Sequence, residues 1–375
     1  MALISLGKID INLIPMLIGC IFCFLNRLLN QYDGALLLKN AILTNIFISI
    51  SKLFTVIPLL ILKFRSNKVS SSEIQSVDSF NKLEYIYTEK NIEIVQYKGR
   101  LILLSAVIFF VQSIFFVLTF GIKTNSWIWN ILITSIFYYW FFKIKLFKHH
   151  YLSIIIIILI GFIIDLVLQN LQKDISDNLT LLLFRFLREI LYSFHDVINK
   201  YIMEKKFGSI YEIALSNGII TLMLLLIFAV LDYNFFGLDD YEEYFNNFNG
   251  TELLVIFWVM ITQLGLYLSL MITNRNYTPC HLFIIFVFGQ LAYYIDFSGI
   301  SIIVLLCLIF ILFMALIFNE IIELNFCGLS DNTKRKISER AEIDSDLDSM
   351  IDKNSTINSF DDFDENNDNN DNISS

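Results

Sequence analysis

Arg185, Arg188, Glu189, Asp196 and Lys200 stand inside an otherwise apolar stretch from Leu179 to Met203, and Lys52 stands between Ser51 and Leu53 inside another, Ala41 to Leu62. An ionised group deep in a bilayer costs at least about 2.5 to 3.5 kcal/mol on insertion scales, so such residues are expected to face a cavity, water or a partner. Helical spacing puts Arg185, Glu189, Tyr192, Asp196 and Lys200 on one stripe, with Arg185 and Glu189, and Asp196 and Lys200, each four residues apart. A guanidinium offers paired donors to phosphate or carboxylate oxygens, which makes Arg185 or Arg188 a candidate for binding an anionic substrate. The competing reading is that Arg185 and Glu189 neutralise one another. Arg188 lies about 100 degrees around the helix from Glu189 and is the better substrate candidate. The stem of Lys52 is too deep to reach either surface, so it is a second candidate. Its structural alternative is a pairing with Glu189 or Asp196.

Uncharged polar groups extend the set. Gln112, Gln263, Asn130, Asn217 and Gln290 are amides placed to read a sugar or a base edge, although bridging between helices is their more frequent use. Tyr138, Tyr139, Tyr293 and Tyr294 can stack on a ring or anchor helices at the interface. His149, His150, His195 and His281 have no metal partner at ligand spacing in the sequence and are assigned no chemistry. No bound metal or cofactor is expected. Cys20 and Cys23 form a C-x-x-C on an apolar helix, where packing is the expected role, and the remaining cysteines, Cys280, Cys307 and Cys327, suggest no disulfide framework.

These residues need a scaffold that lies in lipid. The 375-residue chain is 56% hydrophobic with mean hydropathy +0.64, more apolar surface than a soluble domain can cover. Spanning runs are read at Ile9 to Leu25, Ala41 to Leu62, Leu101 to Ile122, Trp127 to Phe142, Tyr151 to Leu168, Leu179 to Met203, Ile213 to Leu231, Leu253 to Thr273, Pro279 to Ile295 and Ile300 to Phe318. Basic residues crowd the alternate connections, from Lys63 to Arg100, Lys143 to Lys148, Lys200 to Lys206, and at Arg275 and Lys334 to Arg340. By the positive-inside bias both termini face the cytosol. The sequons Asn249-Gly250-Thr251 and Asn178-Leu179-Thr180 fall on the opposite, lumenal side. The acids behind the net charge of -9 concentrate in Asp344 to Asp371 and in the Leu238 to Glu243 loop, which argues against nucleic acid as a partner. The tail from about Ser330 is too polar to fold alone and is expected to be disordered. Asp361 to Asn372 lacks the central Gly and final Glu of a calcium loop.

Five spans on each side of Gln169 to Asn178 give the halves opposite orientations, the inverted-repeat arrangement of secondary transporters. Internal similarity agrees: Lys123 to Ser126 and Tyr138-Tyr139 parallel Asn276 to Pro279 and Tyr293-Tyr294, and Gln112 parallels Gln263. The expected fold is thus an all-α polytopic membrane protein of about ten transmembrane helices in two inverted five-helix repeats, with a disordered acidic C-terminal tail. The repeats occupy residues 1–172 and 173–320, and the tail 321–375.

Three stretches resemble the drug/metabolite transporter superfamily, within it the branch of nucleotide-sugar and related organic-metabolite transporters. They are Phe184 to Ile190 running into Val197 to Glu204, with its Lys200-Tyr201-Ile202-Met203-Glu204 phrase; the fourth span with Lys143 to His150 and Ile158 to Ile164; and Tyr277-Thr278-Pro279 opening the ninth. The Gly-rich substrate motifs of the sugar carriers are not visible, with 14 Gly and 3 Pro in the whole chain. The resemblance implies a secondary-active carrier of a small polar, anionic organic solute, embedded in the bilayer of the Golgi or endoplasmic reticulum. Pairing into a homodimer is compatible with it.

Two other classes are kept. A membrane enzyme acting on lipid-linked substrates would use Asp239, Asp240, Glu242 and Glu243 as a lumenal metal cluster. A receptor or scaffold would act through its acidic tail. No G-x-x-x-x-G-K-[ST] loop occurs, so ATP-driven transport has no motif here.

Overall fold

The computed structural model describes residues 4–6, 13–29, 37–61, 78–119, 126–143, 146–169, 179–206, 208–292 and 299–324. Tyr293, Tyr294, Cys327, Asn178, the Lys334 to Arg340 cluster and the acidic tail lie outside them.

The described chain is helical almost throughout. Its helices are α1 (Ile14–Leu29), α2 (Ala41–Leu53), α3 (Asp78–Leu118), α4 (Asn130–Phe142), α5 (Lys148–Gln169), α6 (Leu179–Lys205), α7 (Ile210–Leu231), the short α8 (Tyr241–Asn246), α9 (Gly250–Asn276), α10 (Leu282–Leu291) and α11 (Gly299–Phe318). The described part of each apolar run read from the sequence falls largely on one of them; 9–12, 120–122 and 293–295 lie outside the described residues. Five helical stretches, Ala41–Ile61, Lys98–Leu118, Lys148–Val167, Ile210–Phe236 and Gly250–Asn276, are long and apolar enough to cross a membrane, and Ile14–Leu29, Pro279–Leu291 and Ile302–Phe318 are shorter apolar helices. Leu17 and Ile21 on α1, Met223, Ile227 and Val230 on α7, and Leu159 and Leu166 on α5 point outward, each more than half exposed. Side chains of that size in continuous stripes would drive aggregation in water and are at home against lipid tails. The molecule is built as an integral membrane protein.

Two features depart from the sequence expectation. A three-residue antiparallel pair joins β1 (Ile4–Leu6) to β2 (Ile322–Leu324), with Ile4 opposite Leu324, so the start of the chain and the end of α11 lie at the same end of the bundle. The second departure is the start of α3 at Asp78, so that Lys82, Lys90, Lys98 and Arg100, expected in a loop, lie on a helix continuous with the third span. The sequence permits this: no Pro or Gly breaks Asp78 to Lys98, and Gly99 is the first glycine of the helix.

Contacts at the helix ends fix the direction of the helices. Asp239, beyond α7, accepts from the backbone N–H groups of Ile42 and Leu43 at the start of α2. Lys98 reaches Glu212 at the start of α7 (2.7 Å), and Lys200 near the end of α6 donates to the Arg275 carbonyl near the end of α9 (2.8 Å). The bundle therefore has an Asp239 end and a Lys200 end. The proposed halves are not separate bodies: α2 packs on α7, α1 on α9 and α10, α3 on α6 and α7, and α5 on α11.

Helix α2 is interrupted at Phe54–Thr55 and resumes to Ile61. Pro58 causes the interruption, because it has no N–H to offer Phe54 and its ring crowds that carbonyl. Lys52 sits in the last turn before the gap, where the Thr55 hydroxyl donates to the Lys52 carbonyl at 2.6 Å.

Candidate functional site

A fully buried lysine lies where α2 crosses α7. The two backbones meet closely because Gly218 has no side chain: a Cβ there would stand 2.9 Å from Lys52 Cβ and 3.1 Å from the Ser49 carbonyl. Lys52 is 1% exposed, and its Nζ makes no hydrogen bond among the described residues. Instead the ammonium lies 3.1 Å from the centroid of the Phe109 ring of α3 and 4.1 Å from that of Tyr267 on α9. Two aromatic faces attract a cation, but they leave its N–H donors unanswered. The pairing with Glu189 or Asp196 that the sequence allowed is replaced by this aromatic cage.

A buried hydrogen-bond network adjoins the cage. Asn217, beside Gly218, donates through Nδ2 to Tyr267 Oη (3.1 Å) and lies 3.4 Å from Ser105 Oγ and 3.3 Å from His195 Nε2. Ser105 donates to Asn199 Oδ1 at 2.7 Å, and Asn199 Nδ2 approaches the His195 ring at 3.2 Å. The Phe109 ring also packs on His195, with centroids 5.5 Å apart, so Phe109 stands between lysine and imidazole. Two acceptors remain unanswered among these buried groups, Asn217 Oδ1 and Gln112 Oε1, the latter one turn beyond Phe109. Among the described residues the Lys52 Nζ and two amide oxygens are thus buried without hydrogen-bond partners, groups that a polar ligand would answer.

The other sequence candidates take different places. Glu189 binds its chain neighbour Arg188 (3.0 Å), whose guanidinium also lies 5.7 Å from the Phe116 ring. The helical angle argued that Arg188 would point away from Glu189; the long side chain bends round the helix to reach it. Arg185, one turn earlier, is half-buried. The Asp196 carboxylate stands 3.7 Å from His195 Nδ1, and its carbonyl accepts from Asn274 at 2.7 Å. Lys200, expected opposite Asp196, turns the other way and pairs with Glu204 at 2.6 Å. Gln263 donates to Asn26 Oδ1 (2.8 Å) and so ties α9 to α1 away from Lys52. Asn130 lies under Ser193, whose hydroxyl donates to its carbonyl at 3.4 Å. Cys20 and Cys23 are buried unpaired thiols on α1, with Cys23 against Gly289 of α10.

At the Asp239 end the acidic loop is organised by a π-helical turn, Asp232–Phe236, that closes on Gly237 at φ 64, a left-handed position where glycine is the unstrained choice. The Asp232 carboxylate accepts from the N–H groups of Leu238 (2.8 Å) and Asp239 (3.2 Å). Asp239 in turn accepts from Ile42 (2.8 Å) and Leu43 (3.0 Å), and Asn40 accepts from the Asp240 N–H at 2.9 Å. Burial, helped by the nearby Asp232 charge, pushes the Asp239 carboxyl up to about 6, outweighing the backbone N–H groups of Leu43, Ile42 and Ala41 that favour its charge. Asp240 is the cap of α8, accepting from Glu243 N–H. Asp239 and Asp240 are thus occupied in joining the loop to α2 and α8, and among the described residues these acids are not gathered as metal ligands.

No family model matches the chain, and no curated protein is found to match it.

Sequence reasoning found Lys52, Asn217 and Gln112 but missed Ser105, Phe109, Asn199 and Tyr267, and left His195 without a role. A helical signal was present: Ser105, Phe109 and Gln112 fall at i, i+4 and i+7, and His195 and Asn199 at i, i+4.

Proposed function

We propose that the protein is a secondary-active transmembrane transporter that moves a polar, anionic organic solute by alternating access. The observation that carries this reading is Lys52: a buried ammonium with no hydrogen-bond partner, between two aromatic rings, at the crossing of α2 and α7. A cation left in this way is of use to an anion that arrives and leaves, with Phe109 and Tyr267 as surfaces for an apolar or ring portion of the solute.

The packing supports an inverted repeat. If α1 to α5 correspond in order to α6, α7, α9, α10 and α11, then the packing of α1 on α9 and α10 has its counterpart in the packing of α6 on α3 and α4. The contacts of α3 with α7 and with α2 likewise match those of α9 with α2 and with α7. The pairs α2–α7 and α5–α11 each map onto themselves in this correspondence. The match is incomplete at α10–α11, α6–α9 and α9–α10, which pack more closely than their counterparts α4–α5, α1–α3 and α3–α4 do. Lys52 and Gly218 meet at the α2–α7 crossing, a contact between the two repeats in this reading, and a repeat interface is where such carriers hold their substrate. The resemblance of the charged sixth span and the Lys200 to Glu204 phrase to drug/metabolite transporters points the same way. In this reading about ten spans cross the membrane, the Lys200 end faces the cytosol with both termini, and the Asp239 end faces a Golgi or endoplasmic reticulum lumen. Asn249 at the Asp239 end is exposed and available there to a glycosylating enzyme.

The test is reconstitution into liposomes with a panel of labelled nucleotide sugars, sugar phosphates and amino acids, in exchange and net-uptake modes. Wild type should move an anionic member of the panel, and Lys52→Met should not. Uptake of the same solute by Lys52→Met at the wild-type rate would overturn the site, and a wild type that moves nothing in the panel would overturn the carrier reading.

A further inference from the structure

His149 and His150 open α5, and Glu320 lies just beyond α11, at the Lys200 end and well apart from the α2–α7 crossing. The sequence separates them by most of the second half of the chain. The packing of α5 along α11 brings them together, so that one ligand atom from each lies within 4.8 Å of the others. His149 Nε2 stands 3.3 Å from Glu320 Oε1, and the two imidazole centroids are 4.0 Å apart. His149 is 3% exposed, and neither of its ring nitrogens makes a hydrogen bond. The His150 ring is set edge-on against Phe318 at 4.8 Å, which holds it to the end of α11.

The backbone that delivers the carboxylate is itself unusual. Glu320 has φ 59, in the left-handed region, with its N–H donating to the Ile317 carbonyl and that of Ile321 to the Leu316 carbonyl. Glycine is the common residue at this turn, because a side chain there is strained. Here the turn ends α11, aims a carboxylate at two imidazoles, and leads directly into β2.

From this geometry we propose that His149, His150 and Glu320 bind a zinc ion that clamps α5 to α11. Two imidazoles and a carboxylate are the donor set of a three-ligand zinc site, with water as the fourth ligand. Ligand atoms about 2.0 to 2.2 Å from a tetrahedral zinc stand roughly 3.3 to 3.5 Å from one another, close to the spacing His149 and Glu320 already have. His150 Nδ1 accepts from the Phe147 N–H at 3.1 Å, a capping bond at the start of α5. Ligation by His150 gives up that one cap in exchange for a metal–nitrogen bond. The clamp acts on the α5–α11 pair and on the β1–β2 ribbon beyond it, and does not touch the Lys52 cage. It therefore stands or falls independently of the transport reading.

The test uses full-length protein in detergent with its affinity tag removed, so that no tag histidines compete. Zinc affinity is measured by competition with a chromogenic chelator, and cobalt is added separately to read the visible absorption of a low-symmetry N and O site. Wild type should bind one zinc per chain and melt at a higher temperature with zinc than with chelator. Glu320→Gln and His149→Ala should each weaken binding by at least about tenfold. Equal zinc binding by wild type and by His149→Ala/His150→Ala/Glu320→Gln would overturn the proposal, as would a wild type that binds none, which leaves an imidazole–carboxylate pair only. Should a variant fail to elute as a single species, the cobalt spectrum of wild type decides, since a spectrum no different from that of free aqueous cobalt also overturns it.

Discussion

Replacing Lys52 with Met separates a functional cation from a structural one without knowledge of the solute. Methionine is unbranched and close in shape to the lysine stem, so it fills the space beside Gly218, Phe109 and Tyr267 without a new cavity. Burying the ammonium costs at least about 2.5 to 3.5 kcal/mol. With no hydrogen bond to Nζ, the offset comes from two ring faces at 3.1 and 4.1 Å, each contributing about 0.5 to 2 kcal/mol. The balance places Lys52→Met between about 1.5 kcal/mol destabilising and about 2.5 kcal/mol stabilising. Had Lys52 been half of a buried ion pair, the same change would strand its partner and destabilise by about 3 to 5 kcal/mol. At roughly 2 to 4 °C per kcal/mol, the expected melting temperature lies between about 6 °C below and about 10 °C above wild type, against a fall of about 6 to 20 °C for the ion-pair case. The assay is thermal unfolding of the purified protein in detergent, followed by loss of the monodisperse peak after heating. A fall of more than about 6 °C would refute the reasoning, because it would mean that Lys52 neutralises a carboxylate in the fold.

Two further outcomes follow from the same geometry. Gly218→Leu should force α2 and α7 apart at Lys52 and destabilise by about 1 to 3 kcal/mol, with Gly218→Ala milder, both read as a fall in melting temperature; an unchanged value for the leucine variant would mean that the close approach is absent. The Asp239 carboxyl, raised by burial from 3.8 to about 6, holds its proton more tightly folded than unfolded. Its contribution to stability is therefore complete below about pH 4 and lost as the pH rises through about 6. Asp239→Asn, which keeps an acceptor for the Ile42 and Leu43 N–H groups, should flatten the melting profile between those values; a constant difference from wild type across that range would contradict the assignment.

The helices were legible because their signal is local. A run such as Leu282–Leu291 or Gly299–Phe318 has one way to satisfy its backbone in lipid, whatever surrounds it. The alternation of basic connections with connections poor in Lys and Arg was equally local. Partners were not. Four-residue spacing paired Asp196 with Lys200, but Lys200 has Glu204 on its other side and the Arg275 carbonyl across the bundle, and both lie closer to its ammonium. The angle between Arg188 and Glu189 argued them apart, and the reach of a guanidinium brought them together. Histidine was read from neighbours in sequence, so a carboxylate at Glu320 was invisible to His149.

What the sequence determined alone is the membrane character, the placing of the helices and the presence of charges that apolar runs would not otherwise tolerate, because each follows from residues within a turn or two of one another. What only the tertiary structure decided is which charge is answered and by what. A helix fixes the direction of a side chain to within one face, but whether that face meets a carboxylate, an aromatic ring or another glycine depends on helices hundreds of residues apart in number and a few ångströms apart in space. Lys52 is left to two rings because Phe109 and Tyr267 arrive there on α3 and α9, and because Gly218 lets α7 lie against its backbone.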